Sequence, residues 1–206
     1  MKVGVLSFQG DFAEHLGVLK SLKVKAMEVR TLQDLNQVDR LIIPGGESTV
    51  MALFLEETGI GKEIVRRATL SYRQRGKVTK TQSLIPNPQP LFVYGTCAGA
   101  ILLAKKATGK NAPRTLGLID ITIDRNAYGT QLDSFETNLT IAGIPSSIPV
   151  AFIRAPVITK VGKNVEVLAS HEGKPVLVRQ ERILAGTFHP EVRGEKNIHR
   201  LFLTIV

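Results

Sequence analysis

The chain has 206 residues, enough for one domain with a full core, with 43% hydrophobic and 22% charged residues, as in ordinary globular proteins. The lone cysteine excludes an internal disulfide, and no apolar run is long enough to span a bilayer. The formal charge of +9 raises nucleic acid as a partner, but +6 of it lies between residues 62 and 80 and the remainder is nearly balanced, which argues against that role in part.

Lys2 to Phe8 reads as a buried strand, and Asp11 to Leu22 as an amphipathic helix with Phe12, Leu16 and Leu19 at helical spacing. His15 on that helix reads as a surface or half-buried residue. Val24–Val29 is a second strand, Leu32–Leu35 a helical turn, and Arg40–Ile43 a third strand. Strands alternating with helices indicate an α/β fold of three layers, with a mostly parallel central sheet and helices on both faces.

Pro44-Gly45-Gly46-Glu47-Ser48-Thr49 follows the third strand, and Val50–Glu56 reads as a helix. Ser48 or Thr49 is the expected N-cap. The paired glycines also let main-chain N–H groups approach a ligand at the carboxyl end of a strand, where open α/β sheets bind ligands. Ile60–Tyr72 reads as a further helix. Residues 73–90 are basic and proline-bearing, which predicts an insertion rather than an element.

Leu91 to Lys105 organises the chain. Leu91–Tyr94 reads as a strand, Gly95-Thr96-Cys97-Ala98-Gly99 as a sharp turn, and Ala100–Ala104 as a helix. This is the nucleophile-elbow pattern with Cys97 at the apex. Gly95 and Gly99 flank the apex where a Cβ would crowd the turn. A helix N-terminus beside a thiol favours its thiolate.

Leu116–Ile123 and Gln131–Ile141 read as extended, with Arg125-Asn126-Ala127-Tyr128-Gly129 between them. Val150–Arg154, Val165–Ala169, Pro175–Arg179 and Ile183–Phe188 are further strands, the last three antiparallel because only short turns join them. Glu195–Ile205 closes as a helix, and neither a repeat nor a second domain is discernible. His189-Pro190-Glu191 follows the last strand. In an extended segment residues i and i+2 face one side, so His189 and Glu191 point the same way. A cysteine nucleophile needs such an imidazole and a third group to orient it. His171-Glu172 sits in a turn and fits less well, and His199 reads as structural or exposed. No third ligand accompanies His189 and Glu191, so no metal is expected.

FVYGTCAGAILLAK, PGGEST, RNAYG, FIRAP and FHPE, in that set, resemble class I glutamine amidotransferase domains. More narrowly, they resemble the family of glutaminase subunits of pyridoxal 5′-phosphate synthase. The resemblance covers the chain except roughly residues 61–90, and implies one glutaminase domain over 1–206 with a basic insertion at about 73–90. It implies that Cys97 attacks the amide of L-glutamine, that His189 carries the proton and that Glu191 orients it. Gly46 and Ala98 would form the oxyanion hole, while Gly46, Glu47, Ser48, Arg125, Ile153 and Arg154 would line the glutamine pocket. It further implies a (β/α)8-barrel synthase subunit as partner in a hetero-oligomer; no cofactor and no membrane are expected, a cytoplasmic location is, and the charge distribution disfavours nucleic acid. Phe8 and Thr130 depart from the family pattern, which has Leu and Arg there. A different class I glutaminase, or a related cysteine hydrolase on the same scaffold, is the alternative.

Overall fold

Alternating side chains of the central strands feed two separate apolar clusters, and this period of two builds the layers. In β3 (Arg40–Ile43), Leu41 and Ile43 join one cluster and Ile42 the other. The computed structural model describes residues 1–70, 89–125 and 134–205. Most of the basic segment 73–90 and residues Asn126 to Gly129 and Thr130 lie outside the described residues.

The elements in order are β1 (Val3–Leu6), α1 (Phe12–Ser21), β2 (Ala26–Val29), α2 (Leu32–Leu35), β3, α3 (Ser48–Glu57), α4 (Ile60–Ala68), β4 (Phe92–Thr96) and α5 (Ala98–Leu103). They continue with β5 (Ala104–Thr108), β6 (Ile119–Asp124), β7 (Phe135–Leu139), β8 (Ile148–Phe152), β9 (Val157–Val161), β10 (Glu166–His171), β11 (Lys174–Gln180), β12 (Ile183–Gly186) and α6 (Asn197–Thr204). The main sheet has the order β10-β11-β12-β4-β3-β1-β2. From β12 to β2 neighbouring strands run parallel, and β10-β11-β12 form an antiparallel extension, both as expected. Two smaller sheets, β5-β6-β9 and β7-β8, are not hydrogen-bonded into its strand order but pack against it.

The first cluster packs Met51 and Leu55 of α3, Ile60 and Ile64 of α4, Ile101–Leu103 of α5 and Ile121 of β6 against one face. The second packs Leu19 of α1, Ile198 and Phe202 of α6 and Val150 and Phe152 of β8 against the other. Burial of these faces supplies the main stabilisation. Two buried arginines tie loop ends to this body. Arg40 donates to the carbonyls of Phe202 and Ile205 at 3.0 and 2.7 Å, satisfying the free end of α6. Arg67 donates to Leu35 and Val38 carbonyls, each at 2.6 Å, and to Gln89 at 2.9 Å.

Several expectations need correction. Ala104, expected to end the helix, instead opens β5, which pairs with β6. β9 was not anticipated after Pro156; it pairs antiparallel with β6. The cap of α3 is neither Ser48 nor Thr49. Glu47 is extended at the N-cap, and its carboxylate accepts from Thr49 N at 3.1 Å and Val50 N at 2.7 Å. A longer acidic side chain thereby satisfies two orphan donors at once.

Candidate active site

Cys97 stands between β4 and α5 with φ 48° and ψ −104°, a conformation that non-glycine residues rarely adopt. Tight packing holds it there. A Cβ on Gly95 would lie 2.5 Å from the Gly99 carbonyl carbon, and one on Gly99 would lie 2.0 Å from the Ile43 oxygen. The Cys97 amide donates to Gly186 O of β12 at 2.8 Å, and its carbonyl accepts from Ile101 N at 3.2 Å. The thiol is largely buried, 8% exposed, with Sγ 3.9 Å from Ile153 O.

His189 arrives from the end of β12 and is pinned by β8. It donates its amide to Ala151 O at 2.7 Å and accepts from Ala151 N at 3.4 Å. Pro190 then turns the chain into a 3-10 turn, Glu191–Arg193. The expected extended His-x-Glu is therefore absent: Pro190 is helical at φ −71°, ψ −30°. The pairing survives through the turn, with His189 Nδ1 2.8 Å from Glu191 Oε1. Glu191 is fully buried and its Oε2 has no hydrogen-bond partner among the described residues.

Burial by itself would drive the proton off His189. Hydrogen bonds to Asp11, Cys97 and Glu191 outweigh it, and the imidazole is pushed up to about 12. With Nδ1 facing carboxylates, Nε2 is left for Cys97. Burial raises Glu191, with the bond to His189 acting in the opposite direction.

Three residues of the site were not assigned to it from the sequence. Asp11 Oδ2 lies 3.2 Å from His189 Nδ1. His15 is fully buried rather than half-exposed, with Nε2 3.2 Å from Thr96 Oγ1 and 3.6 Å from Glu191 Oε1. His199, also fully buried, places Nε2 2.9 Å from His15 Nδ1. The available signal was the spacing of Asp11 and His15, four apart and so on one side of a helical turn. Asp11, His189 and Glu191 also bring three potential ligand atoms within 4.8 Å, so a third candidate ligand does exist in space.

The pocket candidates fall into two groups. The Pro44–Glu47 turn lies against His189: a Cβ on Gly45 would be 2.3 Å from its Cε1. Gly46 has φ +150°, and Gln9 Nε2 donates to Glu47 O at 2.7 Å, tying the first loop to this turn. Ser48 is buried, and its hydroxyl has no partner among the described residues. Arg125 is turned to the start of α3, paired with Glu47 and donating to Thr49 Oγ1 and Asn111 O at 2.9 Å each. Burial would raise the Glu47 carboxyl, but the Val50 and Thr49 amides and Arg125 hold it below the usual range. Ile153 and Arg154 follow β8; both are exposed, and Arg154 has φ 46°. Ala98 opens α5. A cavity of about 420 Å³ between α3, α4 and Thr115–Leu116 includes none of these residues.

The mostly parallel central sheet with its antiparallel extension and flanking helices is the fold of class I glutamine amidotransferases. The family model of the SNO glutamine amidotransferase family matches residues 5–206, and the chain belongs to that family. The pyridoxal 5′-phosphate synthase subunit PdxT of Thermotoga neapolitana is 42% identical over 207 residues, covering 100% of both chains. That of Pseudothermotoga lettingae is 43% identical, covering 98% of this chain and 94% of its own. A crystal structure of a glutamine amidotransferase superposes with a TM-score of 0.84 at 42% identity, covering 98% of this chain and 97% of that one.

Proposed function

We propose that this chain is the glutaminase subunit of a pyridoxal 5′-phosphate synthase and hydrolyses L-glutamine through Cys97, His189 and Glu191. The observation that carries the reading is the 2.8 Å contact of His189 Nδ1 with Glu191, on a ring whose positive charge Cys97 also favours. The full-length likeness to PdxT subunits supplies the biosynthetic context.

In this reading the proton of the Cys97–His189 pair already rests on the imidazole, and Sγ attacks the side-chain carbonyl carbon of glutamine. The carbonyl π electrons move onto oxygen, where main-chain N–H groups of Gly46 and Ala98 receive the charge. The tetrahedral intermediate collapses by breaking the C–N bond. His189 gives its proton to the leaving nitrogen, and ammonia departs from a thioester. Water then loses a proton to His189 and attacks the thioester. Glutamate leaves as the C–S bond breaks, and the Cys97–His189 pair is restored with the proton on the imidazole. Glu191 keeps the ring oriented and compensates its positive charge throughout. Ser48, Ile153, Arg154 and Arg125 complete the glutamine site, with guanidinium suited to an α-carboxylate. Ammonia passes to a (β/α)8-barrel synthase subunit within a hetero-oligomer.

The test is ammonia release from glutamine by the chain mixed with its synthase partner. Cys97→Ala abolishes release, and glutamine shields Cys97 from alkylation. Equal release by wild type and Cys97→Ala overturns the reading, as does alkylation indifferent to glutamine.

A further inference from the structure

We propose that Asp11 is a second positioning carboxylate for His189, sharing the Nδ1 proton with Glu191 from the solvent side of the ring. This deepens the glutaminase reading and rests on it for the role of His189.

The geometry is a three-centre contact. Nδ1 of His189 stands 2.8 Å from Glu191 Oε1 and 3.2 Å from Asp11 Oδ2. Asp11 occupies the N-cap of α1, where an aspartate ordinarily accepts from the first-turn amides. Here its side chain makes no cap hydrogen bond and faces His189 instead. Its carboxylate is thus diverted from the local task its position offers.

Two glycines from different loops make the approach possible. A Cβ on Gly45 would lie 2.3 Å from His189 Cε1 and 2.7 Å from Asp11 Oδ2. Gly10, just before Asp11, has φ +83°, and its Cβ would lie 1.7 Å from Gly45 O. Any side chain at either position drives the Asp11 loop away from the ring.

The two carboxylates have different environments. Glu191 is sealed, and burial raises its own affinity for a proton. Asp11 is 37% exposed, and its hydrogen bond with His189 keeps it below the usual carboxylate range. A buried group alone is a poor guarantor of negative charge, whereas a solvated one beside an imidazolium remains ionised. The titratable groups facing His189 are Asp11 from the start of α1, Cys97 from the elbow, Glu191 from the 3-10 turn, and His15 one turn along α1. Burial foremost, followed by repulsion from His199 and His189, keeps His15 neutral, so Asp11 and Glu191 are the anions that hold the charged ring.

The experiment follows the His189 ring nitrogens by 15N NMR against pH in wild type, Asp11→Asn and Asp11→Ser, with His189→Gln providing the assignment. Asn and Ser both remain competent N-caps, so α1 is retained. The expected result is a His189 midpoint lower by about one pH unit or more in both variants, as for loss of an adjacent opposite charge. The high-pH limb of kcat/KM for ammonia release, measured with the synthase partner, moves down by the same amount. A titration unmoved in both variants overturns the proposal, because a purely structural Asp11 would alter thermal stability alone. A chain that releases no ammonia at all overturns the glutaminase reading, while the NMR titration still decides the role of Asp11.

Discussion

His15 and His199 are 184 positions apart in sequence and joined by a 2.9 Å hydrogen bond, with neither ring exposed to solvent. A proton on His15 Nε2 faces Glu191 Oε1 and Thr96 Oγ1, which leaves Nδ1 to accept from His199 Nε2–H. The opposite tautomer would turn a lone pair toward the carboxylate. The pair thus joins α1 and α6 beneath the 3-10 turn and supports Glu191 from behind.

That burial has a consequence in acid. Burial lowers His199 from 6.5 to about 4, and burial together with His199 and His189 lowers His15 well below its ordinary value. Both are bases whose neutral form the fold favours. The contribution of His199 is complete above pH 6.5 and is lost as pH falls through about 4, and that of His15 is lost on the same acid side. For His199 the loss is about 3 kcal/mol, at 1.36 kcal/mol per unit. Thermal unfolding midpoints measured across this window should fall steeply in wild type. His199→Gln, which can still donate to His15, should show a flatter acid limb. Parallel limbs in the two proteins would show that His199 is not the group responsible.

Glu191→Gln retains the shape of the side chain but removes the negative charge that faces Nδ1 of His189. The expected loss in kcat is on the order of 10²- to 10⁴-fold, as for a misoriented imidazole, with KM nearly unchanged. Stability should respond on the alkaline side. Burial opposes the charged ring, but Asp11, Cys97 and Glu191 raise His189 to about 12. A raised base stabilises the fold fully below its unfolded value of 6.5, and the contribution disappears as pH climbs toward about 12. Glu191→Gln should flatten this alkaline decline, which pH-dependent thermal melts would show.

Three glycines separate packing from conformational entropy. Gly99→Ala puts a methyl 2.0 Å from Ile43 O, with backbone on both sides. It should cost more than the roughly 1–3 kcal/mol of ordinary overpacking. Gly45→Ala meets the His189 ring at 2.3 Å. A displaced ring should reduce kcat about 100-fold, as 1 Å misplacements do. Gly17 is exposed on α1 with nothing within 4 Å of its missing Cβ, so Gly17→Ala should stabilise by about 0.5–1 kcal/mol. Calorimetry on the three variants, with ammonia release for Gly45→Ala, checks the ordering.

The same contrast explains how much of the site was legible. An elbow is a local steric demand, and Gly95, Cys97 and Gly99 display it within five residues. His189 and Glu191 were paired by proximity in sequence, although through a 3-10 turn rather than extended chain. His15 was not recognised because its burial depends on α6 and the 3-10 turn crossing α1, and no local pattern encodes that crossing. Asp11 looked like a helix start because it is one; its diversion to His189 depends on two glycine loops meeting in space. The parallel sheet followed from strand–helix alternation, whereas β5 was hidden because Ala104 to Thr108 continues an alanine-rich helical run.

Arg125 poses the remaining question about the pocket. Its guanidinium is engaged by Glu47, Thr49 Oγ1 and the Asn111 carbonyl, all at or near the start of α3. Glu47 simultaneously caps that helix. A glutamine α-carboxylate reaching Arg125 must therefore compete with Glu47 or take up the donors Glu47 leaves free. Arg125→Ala should raise KM for glutamine by roughly 10- to 100-fold, the scale of one charge-assisted hydrogen bond, and lower kcat less. Arg125→Lys should recover little of that, because a point charge cannot reproduce the fork. Glu47→Gln retains an acceptor for the α3 amides but frees the guanidinium, so it should lower KM rather than raise it. Steady-state kinetics with the synthase partner, paired with thermal melts, distinguish the two roles. If Arg125→Ala reduces the melting temperature and leaves KM unchanged, Arg125 is a strut for α3 and the carboxylate is held elsewhere.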